Sequence, residues 1–409
     1  MKRILPLIVA AAGLVGVAGA VTRHRTGPAP GHAPGPDSSQ VRRFLGALES
    51  ADPAICDEVA DSYGNFWWGD GPAEVGALGD RPPGLRPGRD SLRQPVSDPG
   101  ALRLLASDLG AANPCVRRVA AKMLGHGWPA TRSVLAEAVR QSDVRVREAA
   151  LLALGVADDS AARGLVADRL DDRDSRVVAM AAWAAGELED RRALGALRRL
   201  TEHSDARVRH TAIWALGRLE DHAAVPSLVP LLRSADAIER ELAAEALASI
   251  KDPAAVAPLL PLVDDPIDRV RLAAVAALGE LEDARAVGAL DRAVADRASG
   301  VRRAAVHALT QLHGLTSASA GLVSALGAAD VELRRAAAEA LAEIHDPAAF
   351  AQFAARLADP DAEVRRSVVR GLAEYDRPEV AGLLMRALKD VDAEVRRAAA
   401  EALGEHGRN

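Results

Sequence analysis

The side chains that most often bind metals or carry out acid–base chemistry occur in this sequence, but not at the spacings that such chemistry needs. The ten histidines are spread along the chain, none is followed directly by glutamate, and there is no HExxH motif. His203, His210 and His222 form the closest grouping, which chance explains better than a metal site does. P-loop, dinucleotide-binding and nucleophile-elbow motifs are also missing. We therefore predict no catalytic residue, no metal and no cofactor.

Positive charge is carried almost entirely by arginine, with only four lysines in the chain. Arg191, Arg192, Arg198 and Arg199 form a basic cluster that is interspersed with acidic residues such as Asp190. Because the chain as a whole has a net charge of −6, nucleic-acid binding is disfavoured and a solvated surface is favoured. Within this cluster, Arg198 and Arg199 are candidates for contact with a protein partner.

Small apolar residues dominate the composition. Hydrophobic residues make up 49% of the 409 residues, while aromatic residues make up only 3%. An ordinary core of this size relies on aromatic rings for volume, so the apolar mass here must come from alanine, leucine and valine. This composition favours closely packed helices over β-sandwiches or barrels.

From about residue 98 onward, one short unit repeats. The segment 205–221, DARVRHTAIWALGRLED, shows this unit, and we number it from Val208 as position zero. The equivalent residues follow at intervals of 30 to 32. They are Val116, Val146, Val177, Val208, Glu239, Val270, Val301, Leu333, Val364 and Val395. Ten units on one period predict a solenoid of stacked helix pairs rather than several globular domains.

Each column of the unit has a structural interpretation. Position −3 is aspartate or asparagine in eight units, which is typical of a helix N-cap, and position +1 is arginine in nine units. Positions 0, +3, +4, +5, +7 and +8 are nearly all alanine, valine or leucine, and they cover one broad face of a first helix. Position +9 is glycine or alanine in nine of the ten units and ends the helix or its last close contact. Aspartate at +13 caps a second helix.

The lines D-x-x-V-R-x-x-A-x-x-A-L-G, such as residues 143–155 and 205–217, resemble HEAT repeats, most closely the short HEAT-like repeats of the phycobilisome bilin lyases. The resemblance covers roughly residues 40–409. It implies an all-α, right-handed α-solenoid of stacked antiparallel helix pairs with a period of about 31 residues. It further implies that the repeated aspartates and arginines form a structural ladder between neighbouring units. The residues assigned to this ladder are Asp143, Arg147, Asp205, Arg209, Asp361, Arg365, Asp392 and Arg396.

The same resemblance leaves other functions open. Some HEAT-like proteins are bilin lyases, some are DNA glycosylases, and deoxyhypusine hydroxylase binds iron through His-Glu pairs. Such pairs are missing here, and no residue can be named for a lyase role. An arginine track for an acidic ligand is an alternative to the structural ladder. Val178 interrupts the arginine column in one unit and decides between neither interpretation.

The N-terminus is typical of a targeting segment. Two basic residues precede an uncharged stretch at residues 4–21 that ends in a small-residue pattern. We predict a signal peptide or N-terminal membrane anchor over residues 1–26 and a Pro/Gly linker over residues 27–39. The expected location is therefore the periplasm or cell envelope of a bacterium, with residues 4–21 either cleaved or anchored in the inner membrane.

Between this segment and the regular repeats lies a degenerate region. Residues 40–111 are expected to form the N-terminal cap and one atypical repeat, and residues 112–409 the ten regular ones. The pattern predicts helices at about 40–50 and about 98–110. Residues 65–95, rich in glycine and proline, are interpreted as an insertion.

The two cysteines, Cys56 and Cys115, are too few for a disulfide-rich scaffold or a four-cysteine zinc site. In the repeat alignment they fall near the starts of the first helices of neighbouring units. Export would permit oxidation, so we predict a Cys56–Cys115 disulfide. Two unpaired, buried thiols are the alternative.

Several aromatic residues stand outside the repeated core positions. Trp67 and Trp68 lie in the insertion, where they either cover the open end of the solenoid or form a recognition patch. Trp183 and Trp214 both occupy position +6, which is charged in most other units, and Leu152 occupies it one unit earlier. We expect these last three residues to form an exposed apolar strip that docks a partner or the insertion.

Together, these features predict a non-catalytic scaffold that binds another protein or a peptide through its shape, on an extended surface lined by second helices. We expect no nucleic-acid partner, and contact with a membrane only through the N-terminal segment. A bilin lyase-like or hydroxylase-like enzyme or enzyme accessory is the main alternative, and a nucleic-acid-binding protein is the second.

Overall fold

The computed structural model describes residues 35–49, 59, 95–157, 159–312 and 317–406. The predicted targeting segment, Cys56, Trp67 and Trp68 lie outside these residues. Within the described part all regular elements are helical, and none of its helices has the length and apolar character that crossing a membrane requires. The chain separates into two compact units, Met1–Ala162 and Arg163–Asn409.

The described part of the first unit contains five α-helices. They are α1 (Ser38–Leu48), α2 (Pro99–Asp108), α3 (Pro114–His126), α4 (Arg132–Ala138) and α5 (Val144–Val156). The first two agree with the helices expected in the degenerate region. α3 and α5 are the first helices of two regular repeats, and α4 is the second helix that connects them.

Hydrogen bonds fix the start of this unit. Asp37 and Gln40 form a capping box at α1, in which Asp37 Oδ1 accepts from the Gln40 N–H at 2.9 Å. The Asn113 side chain, which caps α3, also donates to the Glu49 carbonyl at 3.1 Å. The end of α1 is thereby tied to the first regular repeat.

The described part of the second unit contains eight first helices, which pack side by side in chain order, and eight second helices. The first helices are α7 (Ser175–Glu187), α9 (Ala206–Arg218), α11 (Ala237–Ile250), α13 (Asp268–Glu280), α15 (Ser299–Gln311), α17 (Val331–Ile344), α19 (Ala362–Leu372) and α21 (Ala393–His406). The second helices are α6 (Arg163–Ala167), α8 (Leu194–Leu200), α10 (Val225–Leu228), α12 (Val256–Leu259), α14 (Val287–Ala293), α16 (Ala320–Ala325), α18 (Phe350–Ala355) and α20 (Glu379–Ala387). The predicted all-α solenoid of stacked helix pairs is confirmed.

Aspartate caps begin both helices of a repeat, as predicted. At position −3, Asp205 Oδ1 accepts from the Arg207 N–H at 2.9 Å. The aspartates at +13 accept from the N–H two residues further on, at 2.8 to 3.2 Å, and open a turn that precedes the second helix. They are Asp159, Asp190, Asp221, Asp252, Asp283 and Asp346.

The glycines at +9 permit close helix packing and do not end the first helix. A Cβ on Gly217, inside α9, would lie 2.8 Å from the Ala246 Cα of α11. The chain leaves the first helix at position +12, where five non-glycine residues adopt positive φ angles of 47° to 55°. They are Glu189, Glu220, Lys251, Glu282 and His345.

At several junctions, arginine at position +1 joins a repeat to the next through two sets of hydrogen bonds. Arg271 Nη1 donates to the carbonyl of Asp265 at 2.9 Å, in the loop of its own repeat. Its Nε and Nη2 donate to the Asp296 carboxylate of the following repeat at 2.7 and 2.8 Å. The Arg271 side chain is only 5% exposed. Hydrogen bonding from this guanidinium holds the pKa of Asp296 below its usual range.

The same bidentate pair recurs at three other junctions, with Nε–Oδ2 distances of 2.7 to 2.9 Å. The pairs are Arg240–Asp265, Arg334–Asp359 and Arg365–Asp390. In each pair the aspartate stands at position −5 of the following repeat. We call this series of contacts the Arg–Asp ladder.

The ladder assigned from the resemblance therefore differs in its carboxylates. Arg209 and Arg365 do contact the following repeat, but their partners are Glu239 and Asp390 rather than the aspartates at −3. The other assigned arginines, Arg147 and Arg396, donate Nη1 to carbonyls of their own loops. The assigned aspartates cap their own helices; these are Asp143, Asp205, Asp361 and Asp392.

One junction of the ladder keeps its carboxylate although both of its usual columns change. Ser234 replaces the aspartate at −5, and Glu239 replaces the valine at position zero. Glu239 Oε1 accepts from Arg209 Nε at 2.6 Å, and its Oε2 accepts from Ser234 Oγ at 2.5 Å. At this junction the carboxylate therefore comes from the helix rather than from the loop, and Arg209 still has a carboxylate partner.

We expect the variants Glu239→Val and Ser234→Asp to be coupled. Glu239→Val alone deprives Arg209 of its carboxylate and should lower the free energy of unfolding by about 1–3 kcal/mol. Ser234→Asp alone places two carboxylates together and should also destabilise the protein. The double variant recreates the aspartate–valine pattern of the other junctions, and urea denaturation should show it at least about 1 kcal/mol more stable than additivity predicts. Additive losses would contradict this account.

A second ionic contact links the +2 position to the helix cap of the next repeat. Arg335 donates Nη2 to Asp361 Oδ2 at 2.6 Å and Nε to Asp361 Oδ1 at 2.9 Å. The Arg335 hydrogen bonds lower the pKa of Asp361 to about 2. Its carboxylate therefore contributes stability that is fully present above its ordinary pKa of 3.8 and is lost as the pH falls towards 2.

Asp361→Asn tests this charge while retaining a side chain that can cap α19. We expect the variant to have a lower Tm at pH 7 and a smaller further loss of Tm between pH 4 and pH 2 than the parent. Thermal unfolding monitored by circular dichroism across this pH range measures both effects. Parallel curves for the two proteins would show that the Asp361 charge does not stabilise the fold.

Candidate interaction surface

The predicted basic contact residues lie on the second helix α8. Arg198 and Arg199 are exposed. Arg198 Nε donates to Ser227 Oγ of the next second helix at 2.7 Å, and Arg199 Nη2 lies 4.0 Å from Asp171 Oδ1 in the loop between α6 and α7. Both side chains nevertheless remain exposed to a partner.

The prediction of an exposed apolar strip at position +6 is wrong for Leu152 and Trp183, which are 5% and 6% exposed. In α7 the whole stretch 177–186 is buried, so the helix has no solvent face there. Trp214 is half-buried, and its ring lies over Gly186, where Cζ3 would be 2.8 Å from an added Cβ. Position +6 is exposed only in later repeats, for example at Glu245 and Glu339.

The three histidines near residue 210 do not come together. His203 Nδ1 accepts from the Asp205 N–H, and His222 Nδ1 lies 2.9 Å from Asp252 Oδ2. His210 Nε2 instead lies 3.0 Å from Asp236 Oδ2, with Glu239 close by.

His210, Asp236 and Glu239 are the residues in the described ranges whose ligand atoms converge, all within 4.8 Å, and they are of the types that bind zinc. Both Glu239 oxygens, however, already accept hydrogen bonds from Arg209 and Ser234. The cluster is therefore explained as part of the junction between two repeats.

Two shallow grooves lie between neighbouring helices of the second unit. One, between the first helices α17 and α19, is lined mainly by charged residues, including Glu339, Glu343, Arg370 and Glu374. The other, between the second helices α16 and α18, has a volume of about 420 Å³ and is lined by small and apolar residues together with Arg356. The grooves thus differ in the chemistry that they offer to a ligand.

Sequence reasoning missed a group of exposed apolar residues at the end of the last second helix of the described part and in the loop that follows it. Met385, Leu388 and Val391 are 55%, 38% and 92% exposed. They are three of the four large hydrophobic residues that are exposed among the described residues, the fourth being Ile267. Their three-residue spacing was visible in the sequence, but core residues share that spacing and burial could not be assigned from it.

Cys115 lies at the start of α3, is buried, and takes part in a disulfide. Cys56 lies outside the described residues, so its pairing with Cys115 stays a prediction. The same holds for the contact roles of Trp67 and Trp68.

Comparison with known proteins identifies the repeats. The family profile described as HEAT repeats matches residues 102–182, 165–248, 225–310, 290–366 and 350–409, which together cover residues 102–409 without a gap. No curated protein matches the sequence.

Among solved structures, importin beta in an ammonium sulfate condition is similar, with 16% identity and a TM-score of 0.53 over 75% of this chain and 51% of that one. Kap95p bound to RanGDP gives 14% identity and a TM-score of 0.52 over 75% and 50%. The CpcE–CpcF complex of phycocyanin lyase from Nostoc sp. PCC7120 gives 24% identity and a TM-score of 0.36 over 60% and 94%. The chain thus matches about half of each importin-type chain.

The cysteine pairing gives a direct prediction. Peptide mapping of the protein from its native host under non-reducing conditions should yield a single species that contains both Cys56 and Cys115, and reduction should separate the two peptides. Cys115→Ser should lower the free energy of unfolding by about 2–4 kcal/mol, because the cross-link restricts the unfolded chain. Recovery of both thiols free would contradict the pairing.

Proposed function

The chain belongs to the HEAT-repeat family, and we propose that it is a non-catalytic scaffold that binds another protein on the surface of its second helices. A similar solved structure, Kap95p, is described as binding RanGDP, which illustrates that such a solenoid can present a protein-binding surface. For a lyase-like or hydroxylase-like activity, the sequence supplies no His-Glu pair and no residue that can be named.

The observation that carries this proposal is that the two helices of a repeat differ in what their polar side chains contact. Recurring columns of the first helices and their loops, at positions −5, −3 and +1, supply the caps and the Arg–Asp ladder, as Arg271 and Asp296 illustrate. The second helices instead present side chains that vary from repeat to repeat, such as Arg198, Pro230 and Met385, on an exposed surface. Variable, accessible residues on a repeated scaffold are typical of binding surfaces.

We further propose that the protein is exported and acts at the cell envelope. The N-terminal 26 residues support this location because they have the charge and hydrophobicity pattern of a targeting segment. The disulfide at Cys115 is consistent with an oxidising compartment, where such bonds persist.

Charge reversal at α8 tests the scaffold function. We expect Arg198→Glu with Arg199→Glu to reduce the recovery of cross-linked partners from native envelopes by about tenfold or more, because two exposed cations of the surface become anions. The measurement is quantitative mass spectrometry after cross-linking in intact cells.

The matched control is Arg303→Glu with Arg370→Glu, which makes the same change in net charge at exposed sites on the first helices α15 and α19. This variant should retain the partners and fold equally well. Equal partner recovery with all three proteins would contradict the role of α8. Failure of the parent protein to capture any protein would contradict the scaffold function itself.

A further inference from the structure

The groove between α16 and α18 combines apolar walls with a half-buried arginine. Val323 and Leu326 contribute its walls from α16 and the turn that follows, and Ala351 and Ala355 contribute the opposite walls from α18. Arg356 stands at the end of α18 and also lines the groove. Small side chains on α18 leave a space of about 420 Å³ that an apolar side chain of a partner can enter.

Arg356 is the polar group of this groove that lacks a partner. Its Nε is buried and makes no hydrogen bond within the described part of the protein. Leaving a buried N–H of a charged group without an acceptor costs free energy. A carboxylate that accepts from such a group forms a strong, charge-assisted hydrogen bond. The geometry therefore favours a ligand that brings an acceptor oxygen, ideally a carboxylate, to the groove.

The next second helix, α20, continues the same chemistry. Met385, Leu388 and Val391 are exposed, and Arg386 and Lys389 alternate with them. Neither cation has a salt bridge to any described residue. Apolar side chains and unneutralised positive charges are thus presented together on one short segment.

Negative charge is scarce on this part of the second-helix surface. The sequences of α16 and α18, AGLVSA and FAQFAA, contain no charged residue, and α20 contains one acidic residue, Glu379, in its first turn. Earlier in the unit the corresponding cation is neutralised, since Arg292 of α14 lies 3.1 Å from Asp264. On the last three second helices of the described part the side chains are therefore mostly apolar, and Arg386 lacks the carboxylate partner that the equivalent Arg292 has.

We propose that α16, α18 and α20 form a docking surface for an acidic segment of a partner protein that also carries apolar side chains. One apolar side chain enters the α16–α18 groove, and a neighbouring carboxylate binds Arg356. Further carboxylates pair with Arg386 and Lys389 while apolar side chains cover Met385 and Leu388. This inference rests on the proposed scaffold function and specifies the chemistry of its partner.

Two synthetic peptides of about 18 residues test the surface with the full-length protein. Both place leucines along one helical face, and all remaining positions are glutamate in one peptide and lysine in the other. Fluorescence anisotropy should show that the glutamate peptide binds, that added salt weakens its binding, and that the lysine peptide binds at least about tenfold more weakly.

Variants then locate the binding site. Arg356→Gln should weaken binding of the glutamate peptide about tenfold, and Arg386→Glu with Lys389→Glu by more, while Arg303→Glu with Arg370→Glu should leave it unchanged. No binding of the glutamate peptide up to about 1 mM, equal binding of both peptides, or unchanged affinity in the Arg386/Lys389 variant would each overturn the proposal.

Cross-linking in native envelopes separates this inference from the scaffold function. If the parent protein captures a partner and Arg386→Glu with Lys389→Glu captures it equally, the assigned surface is wrong and the scaffold function stands. If the parent captures no partner, the scaffold function fails as well. Preferential binding of the parent to vesicles containing anionic lipid, without binding of the glutamate peptide, would replace the protein partner with a membrane.

Discussion

The guanidinium of the +1 arginine, where it meets a carboxylate of the next repeat, is the polar interaction on which those junctions between repeats depend. An isolated charge is expensive to remove from water, so a buried arginine is tolerated only when its donors are satisfied. Here Nη1 binds the loop that precedes the same helix, and Nε and Nη2 bind the next repeat, as seen for Arg271 and Asp296. One side chain thus holds a loop closed and positions the neighbouring helix. Glycine and alanine at +7 and +9 then allow the helices to approach within direct backbone contact.

Two departures show what this constraint requires. At the Arg209 junction the carboxylate comes from Glu239 at position zero, and Ser234 occupies position −5. Glu239 accepts from Arg209 as the aspartate at −5 does at other junctions. At the Arg302 junction, Ala328 occupies position −5 in place of the aspartate. Among the described residues Arg302 therefore has no carboxylate partner. Arg302 still donates to two carbonyls of its own loop. The loop contact is therefore kept even where the contact between repeats is lost.

The sequence was informative wherever a local rule determines the structure. Capping chemistry and helical geometry predict the repeat length, the helix caps and the apolar face of the first helices. The structure confirms these three features. The true ladder carboxylates were missed because an aspartate at −5, such as Asp296, looks like any polar loop residue until the fold places it beside Arg271. The exposure of Trp183 was predicted wrongly because burial at +6 depends on what lies over each helix, and this differs between Trp183 and Glu245. Such information is not contained in a column of equivalent positions.

The same constraint also limits where function can reside. A residue that fills a ladder or cap position is constrained by the junction that it forms, so we expect recognition of a partner to depend on residues elsewhere. The second helices meet this condition, because side chains such as Arg198 and Arg356 vary between repeats while the first helices maintain the stack. Where this surface lacks acidic residues, cations such as Arg386 have no neighbouring carboxylate. In the scaffold function proposed above, variation of that kind would give one part of the surface a preference for an acidic partner.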